Sequence, residues 1–374
     1  MVDPLRIGVI GCGDVAHRRY LPALRAAGSA VELVALCDMQ ADAVGAAARA
    51  VQGWAPAVAE YTSLAAMLAE ARLDAVFNLT PARHHASVSQ ACLEAGVHVY
   101  SEKPIAATLA EADRLIETAA GRSLLLLCAP GTAVLKRFAW VLEIVASGRY
   151  GSLTLAVAQY PDPGPASWLE YTGDPAPFYG PDVGPLRDHG VYRLHELTTV
   201  MGPVRRVQAM GAIGVPQRVV KSEGRRGARF EVTAPDHVLV HLEFVSGALA
   251  QLLSSFGTLA TRGPWLELHF QHATLSFDGD QYDKDSAASL YVEDEGWRHD
   301  IQLPPPGEPL PVVEAGVAHV LACLRGDERP ILTAEHARHV LDIILKTYAS
   351  IEDGSSHPTE TRFCRSDTRY ARAT

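Results

Sequence analysis

The chain has 374 residues, enough for two domains of ordinary size. Its composition, 48% apolar and 20% charged, is that of a globular protein, and a net charge of −10 argues against a nucleic-acid partner or an anionic membrane surface. The six cysteines are scattered, with no CxxC pair or zinc-like spacing, and MVDPLRIGVIG has no charged-then-apolar leader, so reduced thiols in a cytoplasmic protein are expected.

The first 130 residues alternate strand and helix signals. Apolar runs at 5–11 (LRIGVIG), 31–38 (VELVALCD), 73–81 (LDAVFNLTP), 97–104 (VHVYSEKP) and 123–130 (SLLLLCAP) are each separated from the next by a stretch with helical spacing. Strands apolar on both faces and alternating with helices predict a parallel sheet covered on both sides, with ligands at its carboxyl edge. Beyond residue 130 the pattern changes. A helix over about 134–147 leads to GSLTLAVAQY, a loop rich in Pro, Gly and aromatic residues, and a second helix over 186–202. VRRVQAMGAI, DHVLVHLEF, ALAQLLSSF, WLELHFQ, ATLSF and SLYVE then read as successive short strands of an antiparallel sheet. PPPGEPLP (304–311) is a loop, and TAEHARHVLDIILKTYASIEDG a long closing helix.

GVIGCGDVA sets Gly11, Gly13 and Ala16 in G-x-G-x-x-G/A spacing between a strand and a helix. The turn spanning Gly11, Cys12, Gly13, Asp14 and Val15 suits a pyrophosphate approaching backbone N–H groups at a helix N-terminus. Asp38 ends the second strand, where a carboxylate takes ribose hydroxyls and repels a 2′-phosphate. This predicts a Rossmann NAD(P)-binding domain over 1–129, with NAD favoured and NADP possible, and a C-terminal substrate-binding and oligomerisation domain over 130–374.

VYSEKP brings Lys103 to the same carboxyl edge, beside the nicotinamide end of such a cofactor, where an ammonium can hold a substrate oxygen. On the later helix Asp188, Tyr192 and His195 share one face at i, i+4, i+7, either as a solvated stripe or as a reactive one. Trp168, Phe178 and Tyr179 either stack on a sugar ring or form the core of their loop. His84 and His85 have no second ligand cluster, so no metal is expected. Lys221, Arg225, Arg226 and Arg229 read as a solvated basic hairpin.

TPARHHASVSQACLEAGVHVYSEKPIA resembles the TP-x-x-x-H … EKP-x-A run of the Gfo/Idh/MocA oxidoreductases, with Thr80, Pro81, His85, Gly96, Glu102, Lys103 and Pro104 in matching positions. GPLRDHGVYRLHELTTVMG resembles that family's GG-x-L-x-D-x-G-x-H/Y helix through Asp188, Gly190 and Tyr192, although Tyr stands where His is commonest. The resemblance implies an α/β domain followed by a large, mainly antiparallel open sheet backed by helices. It implies an NAD(P)-dependent oxidoreductase for a sugar, cyclitol or glycoside, with Lys103, Asp188 and Tyr192 catalytic. Thr80, Pro81, His85, Glu102 and Lys103 would join the glycine turn and Asp38 at the cofactor, and Trp168, Tyr179, His189 and His195 would face the substrate. A homodimer or homotetramer through the C-terminal sheet is also implied. A redox-neutral, NAD-dependent glycoside-cleaving enzyme and a non-catalytic dinucleotide sensor are the alternatives.

Overall fold

A computed structural model describes residues 3–277, 288–301 and 311–364, leaving most of the proline-rich loop outside the described residues. These residues fall into two compact units: residues up to 135 with 311–341, and residues 136–301 with 342–364.

In the first unit β1 (Leu5–Ile10), β2 (Val31–Cys37), β3 (Ala59–Tyr61), β4 (Ala75–Asn78), β5 (His98–Ser101) and β6 (Leu126–Cys128) form a sheet. Its order is β3-β2-β1-β4-β5-β6 and every pair is parallel. The order reverses between β1 and β4, which opens a crevice at their carboxyl ends. Between the strands run α1 (Leu21–Ala26), α2 (Ala41–Val51), α3 (Leu64–Glu70), α4 (His85–Glu94) and α5 (Leu109–Gly121). A capping box starts α5: Thr108 Oγ1 accepts the Glu111 N–H, and the Glu111 carboxylate accepts the Thr108 N–H. The five expected strands are present. The edge strand β3 and helix α3 are additions, each too short to carry a readable period.

In the second unit α6 (Lys136–Ser147) and α7 (Val191–Met201) accompany a nine-stranded sheet and a separate hairpin. The sheet is built from β7 (Leu153–Pro161), β8 (Val204–Ala212), β11 (His237–Phe244), β12 (Leu249–Ser255), β13 (Leu266–Phe270), β14 (Ala273–Phe277), β15 (Ala288–Val292), β16 (Gly296–Ile301) and β17 (His357–Pro358). β9 (Gln217–Val219) and β10 (Arg229–Glu231) form the hairpin. The sheet order is β16-β15-β14-β13-β7-β12-β11-β8-β17, antiparallel except that β7 and β12 run parallel. One face is covered by helices including α7. On the other, the register lines up Leu249, Leu155, His269, Thr274, Tyr291 and Trp297 across six strands, with Leu239 paired to Met210 beside them. Leu249, Trp297 and Met210 are 53%, 47% and 74% exposed, so this face carries apolar side chains without cover in the single chain.

The chain then returns to the first unit with α8 (Val312–Arg325) and the start of α9 (Ala334–Asp353). The grouping differs from the expected 130–374 domain: residues 311–341 fall in the same compact unit as the N-terminal sheet. The physical reason is visible at Gly131. A Cβ there would lie 2.2 Å from Val312 O and 2.8 Å from Gly316 N, so only glycine lets α8 lie against this turn. Gly131→Ala should push α8 outward and destabilise the protein by about 1–3 kcal/mol, read as a lower urea midpoint at unchanged slope. An unaltered midpoint would show that α8 is not seated there.

Candidate active site

The cofactor half is built on the β1–β4 crevice. Gly11 has φ +92, and a Cβ on it would lie 2.6 Å from Leu79 C and O. Glycine is thus required twice over, for the backbone conformation and for the approach of two strand ends. At Gly13 a Cβ would meet nothing within 4 Å, leaving the open cradle that a pyrophosphate needs. The chain turns helical from Asp14, with the His17 N–H donating to Gly13 O at 3.2 Å, so the first-turn N–H groups face the cradle without intrahelical partners. Asp38 does more than wait for a ribose: its Oδ2 accepts the Cys12 N–H at 2.8 Å and its Oδ1 the Gln40 N–H at 3.0 Å. Burial, followed by the nearby Asp38 charge, pushes the Cys12 thiol up to about 12, so it stays protonated inside the turn.

The carboxyl ends of β4 and β5 are cross-linked. Asn78, fully buried, donates from Nδ2 to His85 O and Ser89 Oγ, both at 3.0 Å, and accepts at Oδ1 from the Thr80 hydroxyl at 2.7 Å. The backbone oxygen of Asn78 accepts the Glu102 N–H at 2.9 Å. Glu102 in turn accepts the Tyr20 hydroxyl at 2.7 Å on Oε1 and the Lys103 N–H at 2.9 Å on Oε2. The His85 ring nitrogens lie 2.7 Å from Pro104 O and 2.7 Å from Thr80 O. Donating to both carbonyls takes a protonated ring, and burial works against that by pushing the imidazole pKa down. Tyr20 was not a sequence candidate. It ends a π-helical stretch, Ala16–Tyr20, in the glycine-loop helix, and burial holds its hydroxyl protonated as a donor.

The second unit holds the other candidates. Leu186–Gly190 is a π-helical turn leading into α7, so Asp188 precedes the regular helix that carries Tyr192. The Asp188 Oδ2 lies 3.5 Å from His189 Nε2. The His189 ring is sandwiched between Tyr160 at 4.3 Å and Trp168 at 5.4 Å, with the edge of Phe256 at 5.3 Å. Trp168 is fixed by its Nε1–H donating to Asp162 at 2.9 Å. Tyr192 is partly exposed, with its ring 6.4 Å from that of Tyr160. Beneath them Arg193, 2% exposed, is ion-paired with Glu196 and lies over the rings of Tyr160 at 5.0 Å and Trp265 at 4.2 Å.

Two candidates change character. His195 is buried, so the Asp188–Tyr192–His195 stripe is not a solvated face. Tyr179 is 1% exposed in a core cluster with Ala166, Val232 and Phe256, and its oxygen accepts the Ala166 N–H. Its ring offers no face to a substrate, because the hairpin root packs over it. The structure thus brings together Asp188, His189 and Trp168, with Tyr192 nearby, and takes Tyr179 out of the site. Among the described residues no group of three or more His, Cys, Asp or Glu is placed to hold a metal ion. No helix among them is long and apolar enough to cross a membrane.

Comparison with known proteins fits this geometry. Residues 5–129 match an oxidoreductase family with an NAD-binding Rossmann fold, and residues 138–276 match the GFO/IDH/MocA C-terminal domain. A dTDP-3,4-didehydro-2,6-dideoxy-alpha-D-glucose 3-reductase of Streptomyces violaceoruber is 35% identical over 215 residues, spanning 55% of this chain and 57% of that protein. The like-named enzyme of Streptomyces antibioticus is 30% identical over 289 residues, spanning 72% of this chain and 81% of its own. The WlbA dehydrogenase from Bordetella pertussis, solved with NADH and UDP-GlcNAcA, shares the fold at a TM-score of 0.70 and 20% identity, covering 95% of this chain and 98% of that one.

Asp38→Ala removes the carboxylate that braces the glycine turn through the Cys12 N–H. It should weaken NADH binding by about tenfold or more and narrow any preference over NADPH, read by fluorescence titration. Unchanged affinity for both would separate Asp38 from the cofactor.

Proposed function

Since the chain belongs to the Gfo/Idh/MocA oxidoreductase family and carries its NAD-binding Rossmann domain, we propose that it interconverts a secondary alcohol and a ketone on a sugar, cyclitol or glycoside. The observation that carries this reading is the braced Glu102–Lys103 edge, where a buried tyrosine hydroxyl and the lysine's own N–H both end on one carboxylate. Such bracing holds a lysine at the sheet's carboxyl end, where a carbonyl oxygen needs a cation. The names of the reductase relatives and the sugar nucleotide bound to WlbA support a sugar-type substrate.

In the oxidation direction the substrate C–H bond breaks with its electron pair leaving as hydride, and the hydroxyl proton leaves to a protein base. Reduction returns both. When bound, NAD supplies the hydride acceptor. Gly11, Gly13, Asp14 and Val15 hold its phosphates, Asp38 its ribose, and Thr80, Pro81, His85 and Glu102 line its nicotinamide end. Tyr192 exchanges the proton, Lys103 holds the substrate oxygen, and Asp188 completes the catalytic set. His189, clamped between rings, keeps the Asp188 carboxylate from swinging into solvent. Trp168 presents an apolar surface to the sugar.

Tyr192→Phe keeps the ring and loses only the titrating group. Turnover should fall by roughly 10²–10⁴-fold at unchanged NADH affinity. Lys103→Ala should fall as far, and the double variant hardly further. A Tyr192→Phe enzyme within a few-fold of wild type would move the proton to another residue.

We also propose that the open face of the nine-stranded sheet pairs with a second copy of the chain, giving a homodimer or homotetramer. The apolar row through Leu249, Leu155, Tyr291 and Trp297, interrupted by the two polar residues His269 and Thr274, supports this. Light scattering at micromolar concentration should find an oligomer for wild type and a monomer for Leu249→Glu. A monomeric wild type would overturn the assignment.

A further inference from the structure

Among the described residues, the β9–β10 hairpin is a strongly basic surface element that the reaction above does not use. Residues 221–229 hold four cations, Lys221, Arg225, Arg226 and Arg229, against the single carboxylate of Glu223, on a chain whose net charge is −10. All four are exposed. Arg225 has only a loose contact, 3.5 Å from Asp174, and Arg229 donates to Gln217 at 2.9 Å. The side chains of Lys221 and Arg226 make no hydrogen bond or ion pair among the described residues.

The root of this hairpin is anchored in the protein core. Arg218 on β9 is ion-paired with the buried Asp236, and its guanidinium lies 5.0 Å over the Tyr179 ring. Phe230 on β10 packs 5.2 Å from the same ring. The Lys221 N–H donates to Ala166 O at 2.8 Å, two residues before the Trp168 that stacks on His189. Tyr179 is therefore the rivet that joins the basic hairpin to the aromatic loop next to Asp188.

We propose that the hairpin tip, Lys221 with Arg225 and Arg226, is an anion subsite for a phosphate or diphosphate group on the sugar-like substrate, an assignment that rests on the functional reading above. The forked guanidinium groups match phosphate oxygens, and an anchored root holds them in place before the ligand arrives. An anionic handle gripped at the hairpin fixes the far end of the substrate while the sugar carbonyl reacts, so discrimination against uncharged sugars follows from the same contact.

The test uses the full chain saturated with NAD, so that the dinucleotide site cannot report, and titrates dTDP, glucose 1-phosphate and inorganic phosphate by calorimetry. Binding of dTDP should weaken about tenfold or more in Arg225→Ala/Arg226→Ala, further in Arg226→Glu, and with added salt in wild type. Tighter binding of dTDP than of glucose 1-phosphate assigns the subsite to a diphosphate, and equal binding to a single phosphate. Equal dTDP affinity in wild type and the double variant, at an unchanged melting temperature, overturns the proposal, as does binding of none of the three. Hydride transfer is followed separately by nicotinamide absorbance. Turnover of sugars without anion binding sinks the subsite alone, whereas anion binding without turnover of any sugar sinks the oxidoreductase reading and leaves the subsite standing.

Discussion

One buried carboxamide organises the cofactor edge. Asn78 sits at the end of β4 with no exposure, and each of its polar groups must find a partner inside the protein. The carboxamide's partners belong to two segments, the Thr80 loop and helix α4 through His85 and Ser89, while the backbone oxygen of the same residue accepts the Glu102 N–H. Removing the amide would leave several buried donors and acceptors unsatisfied at once, each costly in a low-dielectric interior. The Glu102–Lys103 edge is thus held by hydrogen bonds that originate one strand away, and Tyr20 extends the same network back to the glycine-loop helix.

The second unit solves a similar problem with charge and aromatic rings. Arg193 and Glu196 are both buried on α7, an arrangement that persists only when each neutralises the other. The guanidinium is further enclosed by Tyr160 and Trp265. Tyr160 carries His189 on its ring, and His189 carries Trp168, so the position of the aromatic loop is set by a stack that begins at a buried ion pair. In both units, candidate site groups are steadied by buried polar groups, Asn78 in the first and the Arg193–Glu196 pair in the second.

Much of this architecture was legible in the chain, and the failures have physical causes. Strands apolar on both faces identified the parallel sheet, and the spacing of Gly11, Gly13 and Asp38 identified the dinucleotide turn, because those features are local. The parallel pairing of β7 with β12 was not legible, since they are far apart in sequence and either direction buries the same residues. The return of residues 311–341 to the first unit depends on a close approach at Gly131, which sequence shows only as another glycine. The π-helical turns at Ala16–Tyr20 and Leu186–Gly190 leave no compositional trace, yet they decide where Tyr20 and Asp188 stand. Tyr179 was ambiguous for a different reason: an aromatic in a proline-rich loop looks the same whether it rivets a hairpin or greets a sugar.

The carboxylate of Asp38 has a consequence for redesign of the protein. Because one of its oxygens already braces the Cys12 N–H, position 38 is a structural joint as well as the proposed ribose contact. A swap of coenzyme preference that simply deletes the acid, or installs a cation to greet a 2′-phosphate, would loosen the loop it is meant to retune. Substitutions that keep a neutral acceptor oxygen, such as asparagine or serine, separate the two duties and are where a coenzyme-switching library should begin.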